Sequence, residues 1–159
     1  MATSIEERLL DLIVTKLATI TTGNGYEQTV LQVTRASMPE PPMEVPANKI
    51  PALQLRHITT TKQPQLRGAY ECLAEMEVIC IAAQDATNEQ LADLMADVEK
   101  VLNANKRWFD GAVNLARRTF VSGTVVHETE TGESPATGSV PFVVLYRVDA
   151  LDPYALKDI

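Results

Sequence analysis

Two histidines and two cysteines are all that the 159-residue chain offers to the commonest metal and nucleophile chemistries. His57 and His127 stand far apart with no His-x-x-x-His spacing, so a zinc or di-metal centre would have to be assembled from distant residues. If Cys72 and Cys80 share one strand, they are roughly 26 Å apart at about 3.3 Å per residue, beyond disulfide reach. They read as small apolar residues in a reducing compartment. Also missing are a Gly-x-Ser-x-Gly elbow, a local Cys and His pair, and a phosphate-cradling Gly-x-x-x-x-Gly-Lys loop. Gly23-Asn24-Gly25 follows a predicted helix instead of preceding one, which makes it a turn and not a dinucleotide loop. No apolar run approaches the roughly 18 residues of a membrane-spanning helix. The N-terminus lacks the apolar core and cleavage site of a signal peptide, so the expected starting compartment is the cytoplasm. No catalytic residue, metal ligand or cofactor site emerges from the residues.

What is present is a strand joined to a helix, from Tyr70 to Leu102. Tyr70, Cys72, Ala74, Met76, Val78, Cys80 and Ala82 form one apolar row at period two. The opposite row begins with Glu71, Leu73, Glu75 and Glu77 and ends with Ile79 and Ile81, so its first half is expected to meet water or a partner and its second half to be covered, as under helices. Thr87 and Gln90 have capping-box spacing, and Leu91, Leu94, Met95, Val98, Val101 and Leu102 recur at helical spacing over residues 88–104. An earlier helix is predicted over 4–20, with Ser4 and Glu7 as cap and Ile5, Leu9, Leu12, Ile13, Leu17 and Ile20 as its stripe. It ends at Thr21 to Gly25, where both glycines are expected to supply positive dihedrals.

The remaining chain reads as strands and connections. Strands are predicted over 28–35, 52–58, 120–127 and 140–149. The proline-rich segment 38–51 is expected to be an extended surface connection, since proline lacks a ladder donor. Residues 59–68 and 128–139 are polar and turn-rich, and are predicted to be long hairpin tips outside the core. Trp108 and Phe109 read as a core plug over a helix end. The length and absence of repeats give one α+β domain over 1–159.

Net charge is −7, and the acid is concentrated: residues 71–104 carry eight carboxylates against one lysine. Such a balance disfavours phosphate-backbone binding, and the acidic helix face is expected to be solvated. Lys106, Arg107, Arg117 and Arg118 are too few for a nucleic-acid stripe. Arg117 and Arg118 on one protomer are instead expected to face Glu71, Glu75 or Glu77 on the next, which makes these five residues the candidate interface.

One family is similar. A helix ending in Thr21, Gly23, Asn24, Gly25 and Tyr26, a strand with Val33 and Arg35, and a C-terminal run of Tyr146, Arg147, Asp152, Pro153 and Tyr154 resemble the tail terminator proteins of long-tailed bacteriophages, also called minor tail or tail completion proteins. The resemblance implies an α+β fold, a mixed or largely antiparallel sheet with an N-terminal and a central helix packed against it. It implies a hexameric ring that caps the tail tube, stops its polymerisation and offers a surface to the head-completion protein. Catalysis and cofactors are not implied; a location in the virion at the head-proximal end of the tail is. DNA would pass through the lumen without specific contacts, repelled by an acidic strand face or helix. Another head-to-tail connector or tail assembly factor is the alternative, and an enzyme with a dispersed site is a third reading. Neighbouring tube or portal genes separate the first two.

Overall fold

The computed structural model describes residues 3–35, 45–65, 68–82, 88–111, 113–127 and 137–156. Helix α1 (Ile5–Leu17) begins where the Ser4 hydroxyl oxygen accepts the Glu7 amide hydrogen at 3.2 Å. This is half of the predicted capping box, because the Glu7 carboxylate turns to Arg35 at 2.7 Å instead. Ile5, Leu9, Leu10, Ile13 and Leu17 are buried, and Leu12 packs at the margin. The exit is a 3-10 turn over Thr22–Asn24, and of its two glycines only Gly25 takes a positive dihedral, at φ 88°.

Helix α2 (Asn88–Ala104) has the predicted bounds, and all six residues of its stripe are buried. Thr87 of its predicted cap lies outside the described residues. Its acidic side is not wholly solvated. Asp97 is buried and accepts the backbone hydrogens of Glu27 and Gln28 at 3.2 and 2.9 Å, which ties the helix to the segment leaving α1.

Strand β1 (Gln32–Arg35) runs parallel to β2 (Ala52–Gln65), and β2 forms an antiparallel hairpin with β3 (Ala69–Ile81). Strand β8 (Thr137–Asp149) pairs with β3 along its whole length. Its far edge is shared by β7 (Val125–His127), β6 (Arg118–Val121) and β9 (Asp152–Leu156). Among the described residues these make one mixed, largely antiparallel sheet of seven strands, with both helices packed on one face, so the fold is α+β. A separate small hairpin joins β4 (Phe109–Asp110) to β5 (Val113–Asn114).

Several expectations change. Thr59 to Gln65 are not a hairpin tip: they continue β2 past a register shift at His57 and Thr59 and pair with Glu75 to Ala69. Pairing there is imposed by the well-anchored β3, and an edge strand tolerates polar residues on both faces. Thr137 to Ser139 likewise belong to β8, with Gly138 and Ser139 buried, while residues 128–136 of that predicted tip lie outside the described ones. The predicted strand 120–127 is two strands, interrupted at Ser122 to Thr124, and β9 was not anticipated. Of the plug, only Trp108 is inserted. It is fully buried at φ 46° with its indole donating to the Thr119 hydroxyl at 2.9 Å, whereas Phe109 is 57% exposed.

The second face of β3 is covered at one end, but not by a helix. Val45 and Ile50, from the described part of the proline-rich segment, pack on Ala52, Ile79 and Ile81. That part contains a 3-10 turn, Ala47–Lys49, and folds onto the sheet instead of running extended over the surface. Pro39, Pro41 and Pro42 lie outside the described residues.

Candidate functional site

Among the described residues, polar side chains gather beneath α1, on the open sheet face and beside a gap along β8. Beneath the first turn of α1, the Glu6 carboxylate accepts hydrogen bonds from the Thr60 hydroxyl at 2.8 Å and the Tyr146 phenol at 3.0 Å. Because the Thr60 hydrogen is directed to Glu6, the His57 Nε2, 2.7 Å from the Thr60 oxygen, is the donor in that contact; its Nδ1 is 3.7 Å from the other Glu6 oxygen. Ser4, Lys62 and Cys72 join Glu6 and Tyr146 around an adjoining cavity of about 190 Å³. Burial pushes the Cys72 thiol above its ordinary range and the Tyr146 phenol further above its own. Both groups therefore stay protonated near neutral pH. The cluster clasps the start of α1 to β2 and β8.

On the open face the register of the sheet sorts the predicted interface residues. Glu71 is directly opposite Arg147, whose guanidinium reaches it at 3.2 Å. Glu77 is opposite Arg56 and paired to it at 3.2 Å. Two of the three carboxylates are thus neutralised within the chain. Glu75 is exposed, with Thr59 and Val143 as its cross-strand neighbours. Arg118 shares this face through its register with Leu145 and Leu73, and its guanidinium lies 4.7 Å from the Phe120 ring centre. Phe120 and the half-buried Leu73, Val143 and Leu145 make the ground around Glu75 apolar.

Arg117 goes elsewhere. Strand β6 ends its pairing with β8 at Leu145, and β9 begins its own at Val148, which leaves a gap beside Tyr146 and Arg147. A cavity of about 260 Å³ near this gap is lined by Arg107, Arg117 and Arg147 with Leu115, Ala116 and Leu156. Arg117 is held there by its backbone, which donates to the Leu145 carbonyl at 2.8 Å, and the Ala116 amide donates to the Arg107 carbonyl at 3.0 Å. Among the described residues no carboxylate pairs with Arg107 or Arg117, whereas Arg147 already has Glu71. Arg107 and Arg147 are 40 positions apart in the sequence. No local spacing joins them; a gap in strand pairing does.

Among the described residues, no group of three or more His, Cys, Asp or Glu converges as a metal site, and no helix is long and apolar enough to cross a membrane. No protein-family model matches the chain, and no curated protein matches it.

Proposed function

We propose that this chain is a ring-forming structural protein of a phage tail, which caps the tail tube, stops its polymerisation and offers its other surface to the head-completion protein. The observation that carries the reading is the one-sided sheet. Both helices cover one face, while the other leaves Leu73, Val143, Leu145 and Phe120 around an unpaired Glu75, the composition of a surface that meets another protein. The α+β fold agrees with the one expected from the resemblance at Thr21 to Tyr26 and Tyr146 to Tyr154.

In this reading the partners are further copies of the chain, as a hexamer, then the tube protein and the head-completion protein; the chain catalyses nothing and needs no cofactor. The protein is assembled in the host cytoplasm and stays in the virion. DNA passes through the lumen without specific contacts. The repelling field comes from α2, through Glu89, Asp93 and Glu99, more than from the strand, because Arg147 and Arg56 already offset Glu71 and Glu77.

Electron microscopy of particles made without this gene product tests the proposal. Headless tails with tubes longer than normal are the expected outcome. Tails of normal length joined to heads would end it.

A further inference from the structure

We infer that the Arg107, Arg117 and Arg147 cavity is a carboxylate-binding socket, and that its occupant is Glu75 of a second copy of this chain. The inference rests on the ring reading for the existence of that second copy. The chemistry of the socket stands on its own.

Three arginines from three parts of the chain line one cavity: the turn after α2, the approach to β6, and β8. Only Arg147 is neutralised, by Glu71 at 3.2 Å. Arg107 and Arg117 therefore bring two uncompensated positive charges to one concavity, and an oxyanion between them relieves their repulsion. Guanidinium forks suit a carboxylate in particular, because their paired donors match its two oxygens.

Size narrows the ligand. At about 260 Å³ the cavity falls below the roughly 300 to 1,000 Å³ of ordinary small-molecule sites. It takes the end of one side chain or a small oxyanion. Leu115, Ala116 and Leu156 add an apolar wall, which suits a carboxylate carried on methylene groups and surrounded by apolar neighbours.

Glu75 meets that description on the other side. It is exposed, has no partner among the described residues, and rises from the apolar ground of Leu73, Val143, Leu145 and Phe120. Glu71 and Glu77, its neighbours on the same face, are occupied. Charge and surroundings are thus complementary between the two surfaces, and a charged pair of this kind fixes orientation while the apolar rim supplies affinity. A polyanion such as nucleic acid is the weaker fit, since the whole chain carries −7.

The test uses the full-length chain in sedimentation velocity and native mass spectrometry, alone and with tail-tube ends. Four proteins are compared: wild type, Arg117→Glu, Glu75→Lys, and the double variant carrying both changes. Both positions are exposed, and circular dichroism melting checks that each variant remains folded. Each single reversal is expected to weaken ring association at least tenfold, and the double variant to recover most of that loss. Single variants that form rings as well as wild type overturn the socket while leaving the ring reading intact. A wild-type chain that never forms a ring, even on tube ends, overturns the ring reading and this inference with it. A final arm titrates inorganic phosphate into wild type and Arg117→Glu: binding lost in the variant, with ring formation unchanged, would make the cavity a free-anion site and overturn Glu75 as its occupant.

Discussion

The two faces of β3 carry alternate residues of one strand and behave as different materials. On the covered face Cys72, Ala74, Met76, Val78 and Cys80 are buried beneath α1 and α2. The opposite face begins with two cross-strand ion pairs and the lone Glu75, and is buried only at Ile79 and Ile81, where Val45 and Ile50 lie over it. Burial on the first face comes from helices whose stripes match the strand's period. On the second it depends on a short irregular segment. Burial is therefore concentrated on one side of the sheet, and the other side stays largely open among the described residues.

The contrast is broken most severely from the covered face. Val78→Asp is expected to abolish folding, since an unpaired buried carboxylate costs several kcal/mol against a total stability of about 5 to 15 kcal/mol. A soluble Val78→Asp protein with a cooperative melt would show that this face is not the core.

Close approach of α2 to the sheet gives the next effect. A Cβ on Gly138 would stand 2.8 Å from the Met95 sulfur and 2.8 Å from the Val125 carbonyl oxygen. The methionine can swing away; the backbone of β7 cannot do so without disturbing its pairing with β8. Gly138→Ala is expected to cost about 1 to 3 kcal/mol, seen as a melting temperature lower by several degrees. An unchanged melt would contradict the close approach of the β7 backbone to Gly138.

The open face should respond weakly. A double-mutant cycle replacing Glu71 by Gln and Arg147 by Ala, read by urea denaturation, is expected to give a coupling energy of about 0.2 to 1 kcal/mol, because the pair is directly opposed but partly solvated. A coupling of several kcal/mol would mean that this face contributes to the fold as strongly as the other.

The smallest effect lies at the rim of the covered face and depends on pH. The hydrogen bond from Arg35 holds the Glu7 carboxyl below the usual carboxylate range. A depressed folded pKa adds stability above the unfolded value, near pH 4.3, and that increment fades as pH falls through the lower folded value. Since about half of the Glu7 side chain is exposed, at 48%, solvent screening limits the increment to a few tenths of a kcal/mol. Wild type and Arg35→Ala should therefore differ slightly at pH 7 and converge in acid. A gap that widens below pH 4 would reverse the assigned sign.

Part of the candidate site could be read in advance. Period two placed Glu71, Glu75 and Glu77 on one face, and the structure keeps them there. Their partners were not legible, because Arg56 and Arg147 meet them only through strand register. Arg117 and Arg118 are adjacent in sequence and were paired on that ground, yet one lines the socket and the other lies over Phe120. Asp97 shares the spacing of the solvated helix acids, and only the distant loop at Glu27 and Gln28, folded over it, makes it a buried acceptor.

The sequence by itself determined the α1 and α2 stripes, the two-sided character of β3 and the hairpin that follows from it. These are local patterns, and periodicity decides them within a few turns or residues. Only the tertiary structure decided that β2 continues through the polar residues Thr59 to Gln65, that Val45 and Ile50 cover Ile79, and that three arginines meet beside a gap along β8. Each of these depends on which distant segment becomes a neighbour. Strand register and chain return set that neighbour, and neither leaves a trace in the spacing of residues along one stretch of chain.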